Sequence, residues 1–452
     1  MKGGTKAKGP PAVYHAGLAL VAIATVVLPI IYLALTALAG YGVYYFATHD
    51  FLEIWEWPLG HTKYALLAKV LCSCTPLLVG GCIAVFMVKP IFARPKNRMD
   101  PIALNPAVEP RVYQMVQDIC ATVGAPAPRR IQLDCDLNAS ASFERGWHGM
   151  NANKLILTLG MPLIAGLTQR EMAGVIAHEF GHFRQGIGMR FSYMIRSVNG
   201  WFVRVIYERD AWDATVEGFS ATDEKWIAFM GWCMRMGIAI SRGVLWCLMM
   251  LGHAISSLLL RQMEYDADRC EIRVAGSAAF ETTTLKLGLL ADVMTDINRE
   301  MLKIWRKQFQ LPDNLPVLVE HRVTHLPPEK REKIAGGIGL SKTGLLDTHP
   351  CAADRISQAR KLAETGYDIS DEPARDLFEN FDIVSRLVTL AHYEDNLNVP
   401  TTEDFLIPLE KLIKEKREEP AEPPPAPASP LPMMTFDPNA FQGQKPQENQ
   451  GN

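Results

Sequence analysis

The N-terminal part of the chain contains two long apolar stretches separated by a short polar one. No Lys, Arg, Asp or Glu occurs between Gly9 and Thr48, and a second apolar run extends from Val70 to Val88. Within the first run, Gly17–Phe46 exceeds the roughly 20 residues that a helix needs to cross a bilayer, and the second run is about that long. The pattern therefore predicts two transmembrane helices, and Pro29 predicts a kink in the first.

Two other interpretations of these apolar runs fit less well. A cleavable signal peptide has an apolar region of roughly 7–15 residues and a small-residue cleavage site, whereas the first run is longer and no such site stands out. Two buried core helices of a soluble protein are the other alternative. We expect a membrane hairpin that occupies residues 1–98.

The charged residues beside the two helices predict which way the hairpin faces. Acidic residues lie in the connection, at Asp50, Glu53 and Glu56. Basic residues precede the first helix and follow the second, at Lys2, Lys6, Lys8, Lys89, Arg94, Lys96 and Arg98. Because basic residues accumulate on the cytoplasmic side of membrane helices, both ends of the hairpin and the chain that follows it are expected in the cytoplasm.

Residues 99–412 have the mixed pattern of one folded domain that is mainly α with a small β-sheet, an α+β fold. A helix is predicted over Pro110–Val123, and strands are predicted over Arg130–Leu133 and Lys154–Leu159. Residues 413–452 are rich in Pro and end in Gln, Asn and Gly. Such a tail cannot bury enough apolar surface to fold, so it is expected to be disordered.

Composition narrows the classes of function. The net charge of −3 gives no general electrostatic reason to expect a nucleic acid as partner. The nine cysteines are odd in number and scattered along the chain. They predict reduced, mostly buried thiols and not a disulfide framework.

One short motif indicates the chemistry. Residues 178–182 read His-Glu-Phe-Gly-His, a HExxH sequence, so His178 and His182 share one face of a helix. Both imidazoles can then bind one metal ion, and Glu179 is placed to act on a metal-bound water.

The surrounding residues predict a well-defined helix for this motif. Its start is marked by a capping box of Thr168 and Glu171, and Gly186 is the expected stop. Its apolar stripe consists of Met172, Val175, Ile176 and Phe180.

A catalytic zinc ion normally has three protein ligands and one open position, so the motif lacks one ligand. Glu264 and Asp268 lie four residues apart in Arg-Gln-Met-Glu-Tyr-Asp-Ala-Asp (261–268) and share a helix face. Glu264 is the candidate third ligand, and Asp268 is the candidate acceptor for the N–H of a ligating histidine. A metzincin-type site would need a histidine six residues after His182, but that position is Gly188.

The stretch between the two motifs raises a question of topology. Residues 226–260 are apolar apart from Arg235 and Arg242, and 243–260 is long enough to cross a bilayer. A single crossing is excluded if Glu264 and His182 bind one ion. A hairpin would have to include Phe191–Tyr207 or Trp226–Ser241, which carry arginines. We therefore expect these helices to pack on the protease domain or to lie along the membrane surface.

Three motifs in this order resemble the HtpX and CAAX-prenyl-protease family of membrane zinc metallopeptidases. They are His-Glu-Phe-Gly-His, Arg-Gln-Met-Glu-Tyr-Asp-Ala-Asp, and Thr348-His349-Pro350 with Arg355, and a membrane hairpin precedes them. The resemblance covers residues 64–365. It implies a zincin-type metalloprotease domain with one Zn²⁺ per chain, bound by His178, His182 and Glu264, and Glu179 as general base.

The resemblance also implies roles for residues around the cleft. It places Asp268 behind the zinc ligands, and it places His349 and Arg355 near the cleft, where His349 would stabilise the oxyanion. Asn138, Ala139, Ser140 and Ala141 look like the family's edge strand, which pairs with an extended substrate. The alternatives are a turn at His349 and an ordinary loop at 138–141.

The implied function is hydrolysis of peptide bonds in protein or peptide substrates at a lipid bilayer. The resemblance and the charge pattern together predict a bacterial inner-membrane protein with a cytoplasmic catalytic domain that acts in membrane-protein quality control. One alternative is a narrow-specificity processing protease of the CAAX-prenyl-protease type. Another is a non-proteolytic scaffold with structural zinc, although such a site has no need of Glu179. The sequence gives no prediction of oligomeric state.

Overall fold

The computed structural model describes residues 12–58, 60, 62–92, 101–143, 155–184, 187–207, 211–220, 224–344, 347, 349–397 and 405–411. Several predictions lie outside the described residues: the basic positions 2–8 and 94–98, the helix stop at Gly186, Thr348, and the Pro-rich tail.

The described elements are mostly helices. The helices are α1 (Ala12–Tyr45), α2 (Phe51–Glu56), α3 (Lys63–Val88), α4 (Pro110–Val123), α5 (Met161–Gly166), α6 (Gln169–Phe183), α7 (Ile187–Tyr207), α8 (Ala211–Ser220), α9 (Lys225–Ala275), α10 (Ser277–Gln308), α11 (Leu315–Thr324), α12 (Pro328–Gly339), α13 (Ala352–Leu362) and α14 (Phe381–Leu397). The strands are β1 (Ile102–Ala103), β2 (Arg130–Asp134), β3 (Ala139–Phe143), β4 (Leu155–Gly160), β5 (Leu311–Pro312) and β6 (Leu406–Ile407). The predicted helix over Pro110–Val123 and both predicted strands are present.

The described residues group into two compact units. The helical unit comprises residues 13–92 and 191–258, and the mixed unit comprises residues 101–190 and 259–411. Three helical spans among the described residues are long and apolar enough to cross a membrane: Ala19–Glu56, Lys63–Ile91 and Ile227–Ala275. Both helices of the predicted hairpin are therefore present, and both are longer than predicted.

The helical unit has a core to which α1, α3, α7 and α9 all contribute. Its buried residues are Leu28, Tyr32, Met87, Phe202, Ile206, Leu245, Leu248 and Met249. The Tyr32 hydroxyl donates to the Met87 carbonyl at 2.8 Å and lies 3.1 Å from Ser241 Oγ. In this unit α7 and the first part of α9 share a core with the hairpin helices α1 and α3, a packing that the sequence did not predict.

A four-stranded sheet organises the mixed unit, in the order β1-β2-β4-β3. β2 and β4 are parallel, with Ile131 opposite Leu157, and β3 runs antiparallel to β4, with Ala139 opposite Leu159. These apolar residues are buried beneath helices because a parallel strand pair needs cover on its faces. Among the described residues, β3 is paired on one side only, so it is an edge of the sheet.

A stretch beyond residue 363, for which the sequence suggested no role, supports the ends of the two site helices. The backbone N–H groups of Gln169 and Arg170 donate to the carbonyls of Glu372 and Ser370 at 2.8 and 3.0 Å. Two of the N–H groups that the first turn of α6 leaves without a helical partner are thereby satisfied. At the end of α9, Gly276 has a φ of 95°, and a Cβ there would lie 2.6 Å from a carbonyl oxygen of the same stretch, so only glycine fits.

Candidate metal centre

Helix α6 presents the HExxH residues and is anchored at its start. The predicted capping box is present: Thr168 Oγ1 accepts from Glu171 N, and the Glu171 carboxylate accepts from Thr168 N at 2.9 Å. Glu171 is 4% exposed and also accepts from Thr282 and Lys286 of α10 at 3.0 and 2.7 Å. The helix start is therefore fixed to α10 by a fully paired carboxylate. Of the predicted apolar stripe, Met172, Ile176 and Phe180 are buried and Val175 is half-buried.

Helix α9 presents three carboxylates to α6. Glu264, Asp268 and Glu271 are 4%, 2% and 5% exposed. Their spacing of four and then three residues places them on one helix face. Glu271 was not predicted as a site residue, although its position seven residues after Glu264 places it on the same helix face.

Glycine allows α6 and α9 to approach closely. A Cβ added to Gly181 would lie 3.0 Å from Ala267 Cα and 3.2 Å from Cys270 Sγ. Gly174, two turns earlier on α6, is equally close to Ala275 and Glu271. The glycine inside the HExxH motif therefore has a packing function that the motif alone does not reveal.

The candidate ligands converge on one point. Glu264 Oε2 lies 3.5 Å from His178 Nε2, and Glu264 Oε1 lies 3.7 Å from His182 Nε2. One donor atom from each of these three residues lies within 4.8 Å of the others. Ligands that each lie roughly 2.0–2.2 Å from a tetrahedral zinc ion are separated by roughly 3.3–3.6 Å. The spacing of these donors therefore fits a zinc ion.

Behind this cluster, further carboxylates face the other nitrogen of His178. His178 Nδ1 lies 3.1 Å from Asp268 Oδ1 and 3.5 Å from Glu271 Oε2, although neither contact is aligned as a hydrogen bond. Arg355 of α13 donates twice to Asp268, from Nε at 2.9 Å and from Nη2 at 2.5 Å. The three carboxylates and one guanidinium together leave two negative charges, which a divalent cation would neutralise.

These neighbours change the proton affinities of the site. Burial by itself would lower the pKa of His178, but the contacts with Asp268, Glu264 and Glu271 raise that pKa well above its ordinary value. Burial likewise opposes charge on Arg355, yet the hydrogen bonds to Asp268 raise the pKa of the guanidinium. Binding of a metal ion to His178 would therefore displace a proton.

His349 lies at the rim of the site. Its Nδ1 is 3.3 Å from Glu264 Oε2, and its side chain is 68% exposed. Glu179, on the α6 turn between the two histidines, is half-buried. The structure thus brings His349 and Arg355, which the sequence places far from HExxH, to the same carboxylate cluster on α9.

Residues 138–141 lie at the start of strand β3. Ala139–Ala141 are in β3, the edge strand, and the Asn138 carbonyl just before it accepts from Gly160 N at 2.8 Å. Phe143 at the end of β3 contacts Phe183 of α6 edge-to-face, with ring centroids 5.8 Å apart. Three of the four residues, Ala139–Ala141, are therefore in a strand and not in an ordinary loop, and Asn138 lies just before it.

None of the nine cysteines is among the candidate metal ligands. All nine are free thiols, as predicted, but four are buried, so the prediction that most are buried is wrong. The side chains of Cys72, Cys74 and Cys247 are exposed on α3 and α9, which are both candidate membrane spans. Burial raises the pKa of Cys120 to about 12, which makes that thiol unreactive.

Comparison with known proteins identifies the family. The family model of Peptidase family M48 matches residues 106–363, which is more than half of the chain and includes every candidate site residue. The chain belongs to peptidase family M48. The Protease HtpX of Acinetobacter baumannii (strain AYE) is 23% identical to this M48 peptidase over 290 residues, which cover 63% of this chain and 83% of that protein.

Two further relatives agree with this assignment. A Protease HtpX homolog from Paraburkholderia phytofirmans is 23% identical over 262 residues, which cover 57% of this chain and 75% of that protein. A Protease HtpX homolog from Bacteroides fragilis is 27% identical over 135 residues, which cover 27% and 38%. No solved structure matches the chain.

Family membership settles the general activity of this M48 peptidase. It is a metalloprotease with helices that can cross a membrane, and its family implies a metal ion, generally zinc. The predicted family, the mainly helical fold with small sheets and the enzyme class are confirmed. The interpretation as a non-proteolytic scaffold is therefore not supported.

Proposed function

We propose that this M48 peptidase is a zinc-dependent endopeptidase of the bacterial inner membrane that cleaves protein substrates at the cytoplasmic face. The observation that carries the proposal is the convergence of His178, His182 and Glu264, with donor atoms 3.5 and 3.7 Å apart. In this proposal these three residues bind one zinc ion per chain. Asp268, supported by Arg355, orients His178 from behind.

The mechanism is hydrolysis assisted by a general base. A zinc ion, when bound, supplies Lewis acidity that lowers the pKa of water and polarises the scissile carbonyl. Glu179 takes the proton from the water as its oxygen bonds to the carbonyl carbon. Glu179 then returns that proton to the amide nitrogen as the carbon–nitrogen bond breaks, which releases an amine and a carboxylic acid that loses its proton to solvent. His349 donates a hydrogen bond to the oxyanion that forms meanwhile.

Edge strand β3 holds the substrate in this proposal. Among the described residues, no strand pairs with the side of β3 that faces away from β4, and this side would offer backbone N–H and C=O groups to an extended peptide. Asn138, Ala139, Ser140 and Ala141 are the proposed pairing residues. Small side chains at 139–141 leave room for varied substrate side chains. Pairing through the backbone depends little on the side chains of the substrate. It therefore favours broad cleavage of misfolded or damaged membrane proteins over single-site processing.

Residues at the connection between α1 and α3 support the proposed orientation of the hairpin. Aromatic side chains that are 42% to 72% exposed surround the acidic connection between α1 and α3, at Tyr41, Tyr44, Tyr45, Trp55, Trp57 and Tyr64. Such residues concentrate where a helix leaves the bilayer. The belt therefore marks a membrane interface at the connection, and the basic residues at the opposite ends of the two helices favour the outer side for it.

The crossings must be even in number between His182 and Glu264. α9 is a candidate span, and a single crossing there would separate two residues that lie 3.7 Å apart. Phe202 and Ile206 of α7 share a core with α1, α3 and α9. We therefore propose that α7 with α8 forms a second crossing antiparallel to α9. Reporter fusions at residues 55, 222 and 300 test this: positions 55 and 222 should report outside and position 300 inside. An inside report at 222 would exclude the second crossing, and agreement between 55 and 300 would exclude the proposed orientation.

The proposed activity is tested by Glu179→Gln in the full-length protein. The variant should keep the zinc content of the wild type and lose cleavage of casein, because the ligands are intact and the base is absent. Glu332→Gln, an exposed carboxylate on α12, is the matched control and should remain active. Undiminished cleavage by Glu179→Gln would refute the mechanism.

The cleavage pattern distinguishes the two kinds of protease. Many cut sites in denatured membrane proteins, inhibited by 1,10-phenanthroline and restored by zinc, are expected for quality control. A single cut in one peptide would instead support a processing protease of the CAAX-prenyl-protease type.

A further inference from the structure

The segment that carries His349 is attached firmly at the start of α13. Thr343 Oγ1 donates to Asp354 Oδ2 at 2.6 Å and accepts from Cys351 N at 2.9 Å. The Cys351 thiol donates to the Ser341 carbonyl at 3.3 Å. Both ends of the segment, at residues 341–343 and at 351, are therefore fixed to α13.

Between these ends, Arg261 of α9 reaches the segment. Arg261 Nη1 donates to the Gly344 carbonyl at 2.9 Å. The Gly344 N–H in turn donates to Asp347 Oδ2 at 2.6 Å. Arg261 precedes Glu264 by three residues, so the two side chains leave the same face of α9. α9 thus contacts the segment twice, through Arg261 at Gly344 and through Glu264 at His349, where the atoms are 3.3 Å apart.

We infer that Arg261 is a positioning residue that sets the place of His349 over the metal site. The inference rests on the proposed function, in which His349 donates to the oxyanion. A side chain that is 68% exposed is not held by close packing, so its position depends on where the backbone carries it. Arg261 supplies that constraint on the α9 side, since a guanidinium gives a charge-assisted hydrogen bond to a carbonyl.

The size of the effect follows from the role of an oxyanion donor. Removal of such a donor slows turnover by roughly 100-fold to 1,000-fold. Arg261→Ala leaves the donor present but less well placed, so kcat should fall by about tenfold. KM and zinc content should not change, because Arg261 contacts neither the edge strand nor the ligand nitrogens among the described contacts. Arg261→Lys keeps a charged donor and should recover part of the rate.

A double-mutant cycle in the full-length enzyme tests the inference. Arg261→Ala, His349→Gln and the double variant are compared for kcat, KM and zinc content on one peptide substrate. If Arg261 acts through His349, its substitution slows the wild type but does not slow His349→Gln any further. Arg269→Ala is the matched control: Arg269 is on the same helix, is 61% exposed and pairs with Asp266, and its loss should leave kcat unchanged.

Other outcomes overturn the inference. If Arg261→Ala slows His349→Gln by the same factor as the wild type, or if it lowers the zinc content, Arg261 acts independently of His349. If Arg261→Ala retains full kcat, it has no positioning function. Failure of the proposed function would give a different result, namely proteolysis by Glu179→Gln. All variants of the double-mutant cycle keep Glu179, so the two failures are distinguishable.

Discussion

The first part of α9 exposes large apolar side chains, whereas the second part buries carboxylates. In residues 225–258, within the helical unit, Trp246, Leu251 and Leu258 are 47%, 48% and 70% exposed. In residues 259–275, within the mixed unit, the carboxylates of Glu264 and Asp268 are almost fully buried. A helix of a soluble protein has the reverse arrangement in both respects, with apolar residues inside and charges outside.

The difference shows what each part of the helix is built to contact. Exposed apolar side chains along a candidate membrane span are stable where lipid replaces water. Buried carboxylates are costly unless cations pair with them. Arg355 pairs with Asp268, and a divalent metal ion would pair with Glu264. One continuous helix therefore offers one surface suited to lipid and another suited to a metal ion, and each can be tested by substitution.

The largest effect is expected from Glu264→Gln, which removes the proposed ligand charge. Zinc affinity should fall by at least about 100-fold, and proteolysis should fall with it. Metal analysis and casein cleavage measure both. Asp266→Asn, which alters a half-buried carboxylate paired with Arg269 on the same helix, should keep its zinc; loss of zinc in both variants would argue against a specific ligand.

A smaller effect is expected from Glu271→Gln. Glu271 lies 3.5 Å from the nitrogen of His178 that faces away from Glu264, so it supports the ligand and does not replace it. Zinc affinity should fall by about tenfold, and added zinc should restore activity. Competition with a chelating dye measures the affinity. A loss as complete as that of Glu264→Gln would show that Glu271 is itself a ligand.

The sequence predicts the local parts of this site well. HExxH, its capping box and the spacing of Glu264 and Asp268 depend on helix periodicity, which is a property of neighbouring residues. The edge position of Ala139–Ala141 was implied by resemblance and is now seen in the sheet order. These elements were accessible because each is determined within about two helical turns or one strand.

The parts that were missed depend on contacts between distant segments. No spacing rule connects Glu372 to Gln169, or Gly344 to Arg261, because such pairs arise only when the chain folds back. The packing of α7 on the hairpin helices was missed because its arginines suggested a surface helix, whereas its apolar face, with Phe202, is buried. The number of charged residues therefore does not predict the packing of a helix that buries only one face.

Glycine substitution probes the close approach that brings the carboxylates to α6. Gly181→Ala places a Cβ 3.0 Å from Ala267 Cα, so the helices must separate, at a cost of about 1–3 kcal/mol. Gly243→Ala, in the first part of α9, meets nothing within 4 Å and should stabilise the helix by up to about 1 kcal/mol. Thermal unfolding in detergent measures both. Opposite signs are expected, and equal shifts would contradict the difference in packing.

The smallest effect is expected where the helix faces lipid. Leu251→Ser should change the free energy of unfolding by less than about 0.5 kcal/mol, because an exposed side chain contacts detergent or lipid before and after unfolding. Met249, two residues earlier, is 2% exposed in the core of the helical unit, and Met249→Ser should cost at least about 2 kcal/mol. Unfolding of the two variants in the same micelle gives the comparison directly. If Leu251→Ser lowered the free energy of unfolding as much as Met249→Ser, protein and not lipid would have to cover the apolar face of α9. The two parts of α9 would then not differ as a lipid-facing surface differs from a metal-binding one.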